Sequence, residues 1–225
     1  MGVAIGEVLF FGLAIVIGGP LTITTAILLL TGERGQVKGV AYLIGWVIGL
    51  TLLVVAVVFL VRGRDFSPES TPSLVMAWAK LLGGIALLIV AYVTWRRRPP
   101  PDAPLELPGW LKSIHQTQPP LALGAGFFFG LFSVKNLLIV AAAAAAIGRA
   151  NPNFLQVLLL ILLFVTIATI GIATPVYVAF SRKERAQEIF AGWVRWLSAN
   201  NALIVSLLCL LIGVKLFGDG LGGLL

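Results

Sequence analysis

Charge is scarce in this chain. Asp, Glu, Lys and Arg together make up 11% of its 225 residues, against about 25% in soluble globular domains. So few charges beside 59% apolar residues exclude a water-soluble globular fold. Cysteine is nearly absent too: Cys209 stands alone inside an apolar run, which excludes an internal disulfide and a multi-cysteine metal site. The single histidine, His115, lies in a polar stretch, and a metal site needs several ligands. No metal or cofactor is expected. Paired intramembrane carboxylates, His-Glu-x-x-His and cysteine clusters are all missing, and Ser133 and Lys135 are two apart, off a shared helix face. The chain does not read as an enzyme. A basic n-region is missing before the first apolar run, so that run is expected to be retained. Gly6 stands where a myristoylation motif has Ser or Thr.

What is present is long apolar runs, with a mean hydropathy of +1.04. Runs near 20 residues mean membrane spans, and six are expected, at about 8–30, 37–61, 73–95, 121–147, 153–180 and 201–217. Gly45 and Gly49 in the second share a helix face and allow close helix contact. Lys80, near the start of the third, is expected to snorkel. Asn151-Pro152 reads as the cap and first position of the fifth. Residues 186–197 place Ile189, Phe190, Trp193, Trp196 and Leu197 on one face, an amphipathic interfacial helix. Seven of the twelve prolines crowd residues 96–120, an extended basic connector in which one or two turns of interfacial helix are expected around Trp110. The fold class is therefore an all-α integral membrane protein. Six transmembrane helices form two inverted three-helix repeats, 1–95 and 121–225, joined by the 96–120 connector.

The formal charge of +7 does not point to nucleic acid, because the basic residues sit in short connectors, where anionic lipid headgroups are their expected partners. Ten Lys and Arg fall in connectors one–two, three–four and five–six, and five on the other side. The positive-inside rule then puts both termini outside the cytoplasm.

The repeat shows itself at an offset of 118: Gly6 falls on Gly124, and Phe10-Phe11-Gly12-Leu13 is identical to Phe128-Phe129-Gly130-Leu131. Three spans per half would insert the halves in opposite orientations, the plan of many secondary transporters. Each match leads to something an apolar helix does not need. In the first half it is Gly18-Gly19-Pro20, where the proline ring clashes with the Val16 carbonyl and breaks the span. Thr22, Thr24 and Thr25 follow. The half-helix starting at Pro20 would aim free amides into the membrane middle; a plain packed proline kink is the alternative. In the second half it is Ser133-Val134-Lys135-Asn136. Lys135 lies about fourteen residues from either span end, roughly 21 Å, beyond what a lysine stem reaches by snorkelling. A charge there costs at least about 2.5–3.5 kcal/mol, so it should face protein, water or a ligand. No acidic residue shares its depth, and Glu7 is near the far end of span one. An anionic ligand fits that pattern; a neutral lysine bonded to backbone carbonyls is the alternative. Thr166, Thr169, Thr174 and Pro175 in span five could add hydroxyls and loosen a helix. The substrate-binding set is thus Gly18, Gly19, Pro20, Thr22, Thr24, Ser133, Lys135, Asn136, Thr166 and Thr169.

Gly19-Pro20, Arg34, Lys38-Gly39 and Gly45-Trp46-x-x-Gly49 resemble the first half of the LysE-type exporter superfamily. The Gly-Trp pair, Arg96-Arg97-Arg98-Pro99, Trp110 to Ile114, and Lys135-Asn136-Leu137-Leu138 before an alanine run look like the GAP family of sulfolipid- and glycopeptidolipid-addressing proteins. The resemblance covers nearly the whole chain. It implies six spans in a bacterial plasma membrane, a membrane glycolipid or lipid precursor as substrate, and a larger lipid exporter as partner; a homo-oligomer is open. The family shows Asn-Pro-Lys where this chain has Ser133-Val134-Lys135, so a proline break does not carry over. The second half is expected to supply charge without a break. The leading reading is a transporter or flippase for an anionic amphiphilic envelope lipid. An exporter of amino acids or small solutes and a non-transporting accessory subunit are the alternatives.

Overall fold

The computed structural model describes residues 2–62, 74–98, 114, 117–150, 152–182 and 185–224. In lipid each backbone amide must find its partner within its own segment or in a closed barrel. The apolar runs accordingly fold as helices: α1 (Gly2–Ile17), α2 (Pro20–Thr31), α3 (Gly35–Arg62), α4 (Leu74–Arg96), α5 (Pro119–Leu131), α6 (Val134–Arg149), α7 (Phe154–Ser181) and α8 (Ala186–Gly222). The described residues contain no strand. The loop at 63–73, the connector at 99–113, His115, Asn151 and Lys183 lie outside them; so does most of the turn expected around Trp110.

Three helices, Gly35–Leu60, Phe154–Ser181 and Ala186–Gly222, are each long and apolar enough to cross a membrane. The bent pairs α1–α2 and α5–α6 make five if each counts as one span. The chain is an all-helical integral membrane protein. The expected third span corresponds to α4, of 23 residues, which is not among those five.

Two details correct the sequence reading. The cap of α7 is Asn153, not Asn151. Its side chain accepts from the Gln156 amide and the Gln156 side chain accepts from the Asn153 amide, both at 2.9 Å, a capping box. The expected amphipathic helix and last span are one continuous helix, α8, of 37 residues, about 55 Å long at 1.5 Å per residue. Asn200 and Asn201 do not interrupt it, because nothing at that point removes a backbone donor as proline does.

The chain forms two compact units, residues 1–66 with 106–198, and residues 67–105 with 199–225. In the first, α3 packs most closely on α5. A Cβ on Gly45 would collide with the Leu123 carbonyl, and one on Gly49 with the Phe127 carbonyl. From the other side, a Cβ on Gly126 would meet the Tyr42 carbonyl and one on Gly130 would lie 2.7 Å from the Trp46 carbonyl. Four glycines at four-residue spacing on both helices thus bring backbone against backbone, where packing substitutes for the missing hydrophobic drive. Helix α1 packs on α7, with Gly12 against Ile167. The start of α8 belongs to this unit: Ala186 and Phe190 are buried with Ile27, Leu30, Val176 and Ala179, and Trp193 packs against them. Its apolar face therefore meets protein, not only the membrane interface.

In the second unit, Gly84 of α4 meets the Phe217 amide, Gly213 meets Leu88 and Gly220 meets the Leu81 amide. At the end of α4, Arg96 and Arg98 lie over the Tyr92 and Trp95 rings, 5.7 and 4.1 Å from the centroids, a basic-aromatic pairing typical of a membrane boundary.

Candidate functional site: two broken spans joined by a lysine

The first break forms as the sequence dictates. The last amide of α1 with an i–4 partner is Gly18, bonded to Ala14 at 2.9 Å; Gly19 tightens onto the Val16 carbonyl at 3.2 Å. Pro20 then opens α2 at a position where its missing donor costs nothing. The two halves are bent by 57°. The Thr22 and Thr25 hydroxyls donate to the carbonyls of Gly19 and Leu21, both at 2.8 Å, so they stabilise the break rather than project toward a ligand. Thr24 is buried.

The second half is broken as well, which corrects the expectation of charge without a break. Helices α5 and α6 are bent by 51°. The break needs no proline because Ser133 caps α6, its hydroxyl accepting from the Asn136 amide at 3.4 Å. In an unbroken helix the Phe129 carbonyl would accept from the Ser133 amide; here it accepts from Asn136 Nδ2 at 3.1 Å. The Asn136 side chain thus stands in for the lost turn.

Lys135, in the first turn of α6, reaches across to the other break. Its Nζ donates to the Gly18 carbonyl at 2.5 Å. A continuous helix would have directed that carbonyl to the Thr22 amide. The two breaks therefore meet, as the sequence led one to expect. The lysine meets a backbone carbonyl at that point, the contact that the alternative reading of its role names.

Helix α3 runs beside both breaks. Tyr42 is fully buried and its hydroxyl donates to the Thr22 carbonyl at 3.2 Å. Trp46, one turn on, packs against Gly130. Among the described residues, three buried polar atoms lack a hydrogen-bond partner: Trp46 Nε1, Asn136 Oδ1 and Thr169 Oγ1. The bond from Asn136 Nδ2 to Phe129 fixes the amide's orientation, so Oδ1 is a buried acceptor and the Trp46 indole a buried donor. Leaving such groups unmade is costly. Thr169 lies on α7 between Ile167, which meets Gly12, and Gly171, which meets Val16 and Ile23, and so stands at the level of the first break. Thr166 is exposed. The Thr174 hydroxyl donates to its own helix at Ile170, 2.7 Å, and α7 continues through Pro175.

Of the expected residues, the structure brings together Gly18, Gly19, Pro20, Thr22, Ser133, Lys135 and Asn136. Sequence reasoning missed Tyr42 and Trp46. Their four-residue spacing, which shares one helix face with the glycines' close approach, was the signal that could have found them.

A helical membrane protein with two broken spans meeting at a half-buried lysine is the class this site defines. Residues 8–222 match the family model described as "Sap, sulfolipid-1-addressing protein". The chain belongs to that family, in keeping with its resemblance to the GAP type. No curated protein and no solved structure matches the chain.

Proposed function

We propose that the chain moves an anionic amphiphilic envelope lipid, or its glycolipid precursor, across the bacterial plasma membrane. The observation that carries this reading is the bond from Lys135 to Gly18 across the two breaks. A headgroup phosphate or sulfate would displace that carbonyl and take the stronger, charge-assisted bond from the lysine. The buried acceptor on Asn136 and the buried donor on Trp46 would then serve the hydroxyls of a polar headgroup. The family's description, a protein addressing a sulfolipid, favours a lipid over a small solute.

Six spans in two inverted repeats belong to the same proposal, as do the LysE-type placement and termini outside the cytoplasm. The repeat is supported by the matched packing of Gly130 on α3 and Gly12, 118 positions earlier, on α7. A larger lipid exporter as partner, a homo-oligomer and a non-enzymatic role complete the reading.

The test is export by cells carrying Lys135→Met in place of the wild-type chain, at equal membrane abundance. Export of the envelope lipid is expected to fall to background; unchanged export sinks the proposal. Saturable efflux of an amino acid from proteoliposomes, with no lipid dependence, would instead favour the small-solute exporter. Partner capture that survives Lys135→Met, with no transport by the isolated chain, would favour the accessory subunit.

A further inference from the structure

A second feature lies away from the lysine, along the seam of α2 with the beginning of α8. Two cavities of about 380 and 330 Å³ follow one another there. Leu30, Arg34, Gln36, Gln187 and Phe190 line the first; Ile23, Trp193, Trp196 and Leu197 line the second. The helices run antiparallel at this seam, since Leu30 packs with Phe190 while Ile23 lies with Trp193 and Leu197. One end of the groove is therefore polar and the other mainly apolar. From Gln187 to Leu197 is about 15 Å along the helix, the depth of one leaflet of a ~30 Å hydrocarbon core.

The polar end is basic. Arg34 lines it and is exposed, and the exposed Arg185 and Arg182 precede the lining residue Ala186 by one and four positions, against the exposed Glu33 and Glu188. Arg34 also has a positive φ of 51°, alone in this among the non-glycine residues described. Gly35 follows it and Gly32 stands two positions before, so the chain carries an arginine at the one position of this turn whose backbone favours glycine. A side chain held there against backbone preference points to use. The same wall carries Gln36, whose Nε2 donates to the Ala179 carbonyl at 2.9 Å, and Gln187.

We propose that this groove binds one anionic phospholipid of the surrounding leaflet, its phosphate against Arg34, Gln36 and Gln187 and one acyl chain along Ile23, Trp193 and Leu197. Basic pockets between membrane helices recognise headgroups in this way. The apolar inner cavity selects a lipid over a free anion, and the basic mouth selects an anionic lipid over a zwitterionic one. The site is distinct from Lys135 and does not depend on the transport reading.

Native mass spectrometry of the full chain with phosphatidylglycerol or phosphatidylcholine of matched chains tests it. One phosphatidylglycerol is expected to be retained in preference to phosphatidylcholine. Arg34→Gly, which the left-handed backbone accommodates, should leave thermal unfolding intact and weaken that binding about tenfold. Equal retention of the two lipids overturns the proposal, as does undiminished retention by Arg34→Gly. Inorganic phosphate binding as tightly as the lipid would also overturn it. Loss of the lipid in Lys135→Met but not in Arg34→Gly would place the lipid at the breaks instead and overturn the groove.

Discussion

Lys135 and Gly18 stand 117 residues apart, and the lysine's Nζ donates to the glycine's carbonyl. Each residue belongs to the interruption of a different span, so one hydrogen bond ties the two irregular backbones of the membrane domain together. Replacing Lys135 by Met leaves the Gly18 carbonyl without this donor, at a cost of about 1–3 kcal/mol. The thermal midpoint in detergent should fall accordingly. Lys135→Arg keeps a donor and should restore much of the loss, and a midpoint equal in Met and Arg variants would show that the bond contributes nothing.

The glycine contacts of α3 and α5 make a sharper prediction. Gly45→Ala and Gly126→Ala each drive a methyl into a backbone carbonyl of the facing helix, where no side chain can turn aside. Each is expected to destabilise by at least about 1–3 kcal/mol and to reduce the yield of folded protein. Gly124→Ala, on the same helix with nothing within 4 Å, should instead be neutral or stabilising by roughly 0.5–1 kcal/mol. Chemical or thermal unfolding of the three variants side by side checks the contrast.

Ser133 occupies the cap and position 134 the first helical residue of α6. The Asn-Pro-Lys pattern of the resembling family puts a good cap and a proline at those same two positions, so the departure in this chain is chemical and not geometric. The double variant Ser133→Asn with Val134→Pro should fold as the wild type does, with an unchanged thermal midpoint. Ser133→Ala should lose about 0.5–2 kcal/mol. Failure of the double variant to fold would mean that the break is not built on the cap.

Topology can be tested on a clean background, since Cys209 is the single cysteine. With Cys209→Ser, single cysteines at Glu33 and at Arg185 should both react with an impermeant maleimide only from the cytoplasmic side. Both positions are exposed beside the first cavity's lining, which draws on connectors one–two and five–six together. Opposite labelling of the two would remove the even-span topology.

How legible this was differs from residue to residue. Gly18-Gly19-Pro20 announced its break because proline removes a donor wherever it stands. Ser133 did not, because a serine cap is ambiguous inside a long apolar run and only the three-dimensional bend reveals it. Gly45 and Gly49 were readable as a contact face, while Gly126 and Gly130, with the same spacing, went unread among the phenylalanines around them. The meeting of the two breaks could be anticipated from the repeat, and a backbone carbonyl was one of the two partners read for Lys135; that it would be Gly18's could not, because sequence does not say which carbonyls a bend sets free. The continuity of α8 was hidden by Asn200 and Asn201, whose polarity mimics a loop.

The backbone contact of α3 with α5 has a further consequence. Helices joined carbonyl to Cα have no layer of side chains to slide on, so they move together or not at all. One of them comes from the first half of the sequence and the other from the second, and α1 with α7 repeats the exchange. Any rocking motion would then carry bodies assembled from both halves, one built on α3 and α5 and the other on α1 and α7. Between them the side chain of Lys135 reaches from the break that follows α5 to the break that follows α1.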